Sequence, residues 1–177
     1  MKKSLALVAA LLAVTLESGC GYTLAGRGSF LPAYIHRIGI PLFVNTSSVF
    51  DLDRLVTERV RSEFIGRGKY VIVTDNTGVD ALLTGTITGV FLTPVAFNSA
   101  QQATRYALIM SASVEFKDMQ ANKVLWANPS MQYREEFALN PTSALDTTAF
   151  LGQNQNAEQR MADEFARALV SAILEAF

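Results

Sequence analysis

Few side chains in this chain are able to carry out chemistry. It holds one histidine, His36, and one cysteine, Cys20. A Ser/His/acid triad would rest wholly on His36, and a thiol–imidazole pair on His36 with Cys20. A zinc centre of His and Cys ligands needs more of both, and an intrachain disulfide needs a second cysteine. Paired carboxylates remain, and Asp51/Asp53 and Glu135/Glu136 are the close acidic pairs. A glycosidase needs two carboxylates facing each other across a sugar. Adjacent strand residues point to opposite faces, which separates Glu135 from Glu136. Asp51 and Asp53 suit the start of a helix, where negative charge meets the positive end of the dipole. No catalytic residue, metal ligand or cofactor is assigned, and the chain is read as a non-enzyme. His36, beside a glycine-rich stretch, reads as a surface histidine. Lys and Arg number 15 against 16 Asp and Glu, a net charge of -1. No bulk positive field exists, so nucleic acid is not expected as a partner.

The first segment is expected to be removed rather than folded. Lys2 and Lys3 precede an uncharged apolar run over residues 4–16. A bilayer span takes roughly 20 apolar residues, so this run is too short to cross and fits the core of a secretory signal peptide. It ends at Ser18-Gly19-Cys20, small residues before a cysteine, which resembles a bacterial lipobox. Glu17 stands where that pattern has Leu, with Leu16 one place earlier. The expectation is cleavage after residue 19 and acylation of Cys20. One acyl chain holds a protein only marginally at a membrane and two or more hold it durably. Gly21 follows the cysteine, and the absence of Asp there permits delivery to the outer membrane. The expected organisation is a signal peptide over 1–19, a lipidated linker over 20–37, and one domain over 38–177.

The elements follow from periodicity. Residues 38–44 form a short apolar strand that Pro41 should place at an edge or break. Residues 51–67 read as a helix, with Leu52, Leu55, Val56, Val60 and Phe64 on one face, Asp51 as N-cap, and Gly66 and Gly68 as the stop. A strand follows over 69–74. Residues 81–97 make a long strand with Leu83, Gly85, Ile87, Gly89 and Phe91 on one face and Thr84, Thr86 and Thr88 on the other. Residues 105–118 alternate as a half-buried antiparallel strand. Residues 123–137 form another, with a bulge or edge expected at Pro129. Residues 138–156 read as a long polar loop, and 157–176 as a second helix with Met161, Phe165, Leu169 and Ile173 in its apolar stripe. The expected fold is α+β: two helices packed on one face of a mostly antiparallel, about four-stranded sheet.

Several segments together carry a likeness. They are Cys20-Gly21-Tyr22 with Leu24 and Gly26, Ile40-Pro41-Leu42-Phe43 with Asn45, and Leu55 with Glu58. Further along come Asp80-Ala81, Leu83, Gly85 and Ile87, then Leu92-Thr93-Pro94-Val95-Ala96-Phe97, and Lys123-Val124-Leu125-Trp126 with Asn128-Pro129. In this order and spacing the chain resembles the outer-membrane lipopolysaccharide-assembly lipoproteins of the LptE type over nearly its whole mature length. The resemblance implies an accessory subunit of the lipopolysaccharide translocon, a plug in the lumen of a large β-barrel of the LptD type that assists its assembly. It implies contact with lipopolysaccharide, no enzymatic activity, and a periplasm-facing position on the outer membrane through the lipid anchor.

A plug must offer small and polar side chains to a polar barrel interior. The Thr84/Thr86/Thr88 stripe and the Ser111/Ser113 pair form such a face, although a solvated strand face looks the same. Lipopolysaccharide carries phosphates, which basic side chains bind. The candidates are Arg105, Lys117, Lys123 and Arg134, near the hairpin ends. Ordinary cross-strand pairing, such as Arg134 with Glu135 or Glu136, is the competing use. Trp126 and Tyr133 suit a core or barrel contact better than a ligand stack. The strand–helix–strand start also resembles envelope scaffolds of the TolB type and secretion-pore lipoproteins, but residues 92–97 and 123–129 do not fit those.

Overall fold

Pro41 decides how the sheet begins. In the computed structural model, which describes residues 31–67, 69–138 and 147–176, the first strand stops before it. β1 is Arg37–Gly39 and β2 is Val44–Asn45. Both lie along the same edge of a later strand, so one interrupted segment fills one ladder position. Across the break, the Arg61 guanidinium donates to the Ile40 carbonyl at 2.9 and 2.7 Å, which satisfies a group the ladder leaves open.

The helix α1, Leu52–Gly66, follows. Leu52, Val56, Val60 and Phe64 are fully covered, as their four-residue spacing requires. Thr57 is buried among them, and its hydroxyl donates to the Asp53 carbonyl and accepts from the Phe43 amide. Asp51 occupies the N-cap position as expected but does not cap. It has φ 63, and its carboxylate turns to Arg54 instead of the helix amides.

β3 (Val71–Val73) then pairs parallel with β1, a geometry that needs a crossover such as α1 supplies. The chain continues as β4 (Ala81–Phe97), β5 (Ala103–Asp118) and β6 (Lys123–Ala138), a meander of long antiparallel strands. α2, Thr147–Glu175, closes the fold. The order is β3-β1-β4-β5-β6 with β2 also on β4, six strands where about four were expected. The expected strand over 38–44 is split into β1 and β2, and that over 69–74 is β3; their parallel pairing is what adjacent residues do not announce. Both helices cover one face, and Phe43, Leu83, Ile87, Met110, Phe116, Met161, Phe165 and Leu169 fill the core between them and the sheet. Each such side chain contributes roughly 1.5–3 kcal/mol when taken from water.

Two further sequence expectations change. Helix α2 begins at Thr147, so ten residues read as loop are helical. Asn154 falls on the buried stripe, where its side-chain amide donates to Glu158, and this polar residue interrupts the apolar period. Residues 139–146, the rest of that expected loop, lie outside the described residues. The second change is on β4. A register shift between Ile87 and Gly89 sets Ile87 opposite Ala112 but Gly89 opposite Ser111. The extra residue at Thr88 reverses the parity, so Gly89 and Phe91 lie on the uncovered face and not with Leu83, Gly85 and Ile87.

Candidate functional site

The helices leave the other face of the meander open among the described residues. Antiparallel partners share a face, which assigns its residues directly. Thr84 lies opposite Glu115, Thr86 opposite Ser113, Phe91 opposite Ile109, Thr93 opposite Ala107, and Ile109 opposite Arg134. The expected Thr and Ser stripe is therefore real as a face. Part of it is self-bonded: Thr88 donates to the Ser111 carbonyl and Gln132 to the Ser111 hydroxyl.

The four basic candidates do not converge. Arg105 and Arg134 sit on the open face toward the β4–β5 loop and share one carboxylate. Arg134 reaches one oxygen of Glu136 at 2.7 Å and Arg105 the other at 3.7 Å. Two guanidinium groups on one carboxylate leave a net positive charge on an exposed surface, and such pairs hold together by under about 1 kcal/mol. Glu135 points the other way and accepts from Arg160 of α2, so the adjacent glutamates are split between faces as their alternation requires. Lys117 is eight positions along β5 from Ile109, the partner of Arg134, which is roughly 26 Å at strand spacing. It lies on the open face opposite Val124, whereas Lys123 stands opposite the buried Asp118. Cys20 lies outside the described residues. His36 is exposed, and Trp126 and Tyr133 are partly buried against the core.

Sequence reasoning missed a polar cluster at the Lys117 end. Asp118 is 1% exposed. One of its oxygens accepts from the Tyr34 hydroxyl, and the other from the Gln120 and Ala121 amides at 2.8 and 2.9 Å. Asp80 accepts from the His36 and Arg37 amides at 2.9 and 2.8 Å and from the Gln120 side chain at 2.8 Å. The Tyr34 hydroxyl holds Asp118 below the usual carboxylate range, and the Arg37 and His36 amides do the same for Asp80. Leu31 and Ile35 are buried beside them. Two carboxylates and two apolar side chains thus fasten residues 31–37 to the end of the sheet. An aspartate at a strand end before a turn, as at Asp118, was the available signal.

The second missed feature is apolar exposure. Phe91, Leu92, Val95 and Phe97 on the far half of β4 are all exposed, as are Leu42 and Val44. Beyond Ile87 no described strand lies on the outer edge of β4. Among the described residues no three His, Cys, Asp or Glu side chains stand together to hold a metal, and no helix is long and apolar enough to cross a membrane.

A family model described as LptE, lipopolysaccharide-assembly, matches residues 35–173. The fold is similar to that of a hypothetical protein from Chlamydia trachomatis, at 9% identity and a TM-score of 0.52, covering 80% of this chain and 99% of that one. Rare lipoprotein B from Shewanella oneidensis aligns at 17% identity and a TM-score of 0.49, covering 79% and 98%. A minor lipoprotein from Acinetobacter baumannii aligns at 11% identity and 0.48, covering 81% and 94%. No curated protein sequence matches.

Proposed function

Because the chain belongs to the lipopolysaccharide-assembly family, we propose that it is an outer-membrane lipoprotein that plugs a large β-barrel of the LptD type, helps that barrel assemble, and contacts lipopolysaccharide in transit to the cell surface. The family match across residues 35–173 carries this reading. It acts by binding and positioning, without a bond-making step, from the periplasmic side of the outer membrane through acyl chains on Cys20.

The open sheet face supports it. Thr84, Thr86, Ser113 and Gln132 are small or polar enough to lie against a polar barrel wall. The exposed Phe91 on this face, and Leu92, Val95 and Phe97 elsewhere on the far half of β4, add apolar area of the kind protein contacts bury. Arg105 and Arg134 are the lipopolysaccharide-facing pair: a phosphate can displace Glu136 and accept charge-assisted bonds from both planar forks. Lys117 and Lys123 are too distant to share that phosphate.

Tagged full-length chain is drawn from its native outer membrane in mild detergent and the co-purifying proteins identified. A near-stoichiometric large β-barrel is expected. A self-assembled ring, or periplasmic partners without a barrel, would sink the plug. Lipopolysaccharide retained by the purified chain should fall by about tenfold in Arg105→Ala/Arg134→Ala, the scale of losing one or two hydrogen bonds to a charged group.

A further inference from the structure

The far half of β4 has the composition of an internal strand and the position of an edge. Val90-Phe91-Leu92 and Val95-Ala96-Phe97 are apolar at successive positions, as in a strand covered on both faces. Antiparallel partners share a face, so Leu92 stands with the buried Leu108 on the helix side and Phe91 with Ile109 on the open side. Both Leu92 and Phe91 are nevertheless exposed. From Ala81 to Thr104 no side chain is charged, whereas edge strands that face water are commonly guarded by charge, lysine above all.

The backbone of this edge is open as well. β2 occupies it only at Thr86 and Ile87. The Thr46 amide then donates to the Ile87 carbonyl at 3.0 Å, and β2 has ended. From Gly89 onward no described strand takes up the outward amides and carbonyls. Pro94 lacks an amide and the register shifts between Pro94 and Ala96, so the regular stretch is Gly89–Thr93, about 15 Å long.

We propose that the outer edge of β4 over Gly89–Thr93 accepts an extended, uncharged segment of the barrel partner as an added strand. Backbone hydrogen bonds supply the affinity, and alternate side chains of the segment pack on Phe91 on one face and on Leu92 on the other. An ionised side chain there would leave water without a partner on β4. The wall strands of a closed barrel have no free edge, so the segment is a barrel loop folded into the lumen. A second copy of this chain fits less well. A stable interface buries roughly 1,200 Å² or more, which a ladder of this length does not reach by itself. Next to the open face, the same ladder extends an interface the plug already makes. The inference rests on the plug reading and adds which backbone the partner meets.

The test uses full-length chain in its native outer membrane. The photo-crosslinker benzoylphenylalanine replaces Leu92 or, for comparison, Thr86 on the open face. Leu92 is expected to crosslink to one short barrel segment outside the wall strands, and Thr86 to the wall. Hydrogen exchange over residues 89–93 should slow by at least tenfold in the complex relative to the full-length chain without the barrel. Leu92→Lys, which puts a charge on the edge, should lower barrel recovery several-fold. Thr93→Lys, at an exposed site, should do the same with an unchanged unfolding midpoint. Crosslinks from Leu92 to wall strands only, to this chain itself or to a second copy, or no crosslink, would overturn the inference while the barrel still co-purifies and the plug reading stands. Unchanged exchange, or undiminished recovery in both lysine variants, would overturn it equally. Absence of any barrel from the wild-type preparation would remove the plug reading, and the inference with it.

Discussion

The two halves of β4 share one strand and differ in almost everything else. From Ala81 to Ile87 the strand is flanked on both edges, and every second side chain is buried under the helices. From Gly89 to Phe97 it pairs, among the described residues, only with β5, and Phe91, Leu92, Val95 and Phe97 are exposed. The near half therefore lies in the core, whereas the far half, apart from Val90, mostly presents exposed surface. A strand that extends beyond its core is costly as an exposed edge. Pro94 and the register shifts at 87/89 and 94/96 blunt that edge.

The sharpest way to break this contrast is at the two glycines. A Cβ on Gly85 would sit 2.3 Å from the Phe43 ring, a core side chain with no room to withdraw. Gly85→Val should lower unfolding free energy by about 3 kcal/mol, measured by denaturant or thermal unfolding. On Gly89 the nearest atoms, at 3.0 Å, belong to the exposed Phe91 ring, which can swing away. Gly89→Ala should cost less than about 1 kcal/mol, and an equal loss at both sites would erase the distinction drawn here.

The next effect belongs to the polar cluster. Asp118→Ala leaves the Gln120 and Ala121 amides and the Tyr34 hydroxyl without their acceptor, at a cost of about 2 kcal/mol. Its pH signature has a definite sign. Asp80, Asp118 and Asp51 all titrate below the ordinary value of 3.8 in the folded chain. Their contribution is complete above that value and is lost as pH falls through their lowered values. Glu158, pushed up by burial, acts in the opposite direction, favouring the fold as pH falls toward the ordinary 4.5. The unfolding midpoint should thus hold or rise slightly from pH 7 to about 5 and drop below about 4, with a shallower drop in Asp118→Ala. An unchanged acid limb in that variant would remove the cluster from the account.

The smallest stability effects are expected in the far half. Phe91→Ala and Arg134→Ala should each change stability by no more than about 0.5 kcal/mol, because both side chains are largely exposed. The same changes should lower barrel recovery and lipopolysaccharide retention respectively. Loss of stability comparable to Gly85→Val would mean that the far half belongs to the core after all.

Much of this was legible in the sequence. The α1 stripe, the alternation of β5 and the break at Pro41 follow from local pattern, since burial on one side imposes its period on the residues. The expected pairing of Arg134 with Glu135 or Glu136 is met at Glu136, two places along on the same strand face. Other features were not legible because they depend on partners distant in the chain. The reversal at Thr88 needs the register against Ser111, and Asn154 hid the first turns of α2 by standing polar where the stripe should be apolar. Tyr34 and Asp118 are 84 positions apart. The charged candidates look alike as a list of four, yet strand length separates them into two ends.

The sequence alone determined the class of the domain, the faces of its helices and of β5, and the family to which it belongs, because each is written in residue type and short-range spacing. Tertiary structure alone decided which apolar side chains remain outside, which of the basic candidates share a carboxylate, and how residues 31–37 are fastened to the end of the sheet. Those properties depend on which distant segments meet, and local periodicity holds no information about a neighbour brought in by the fold.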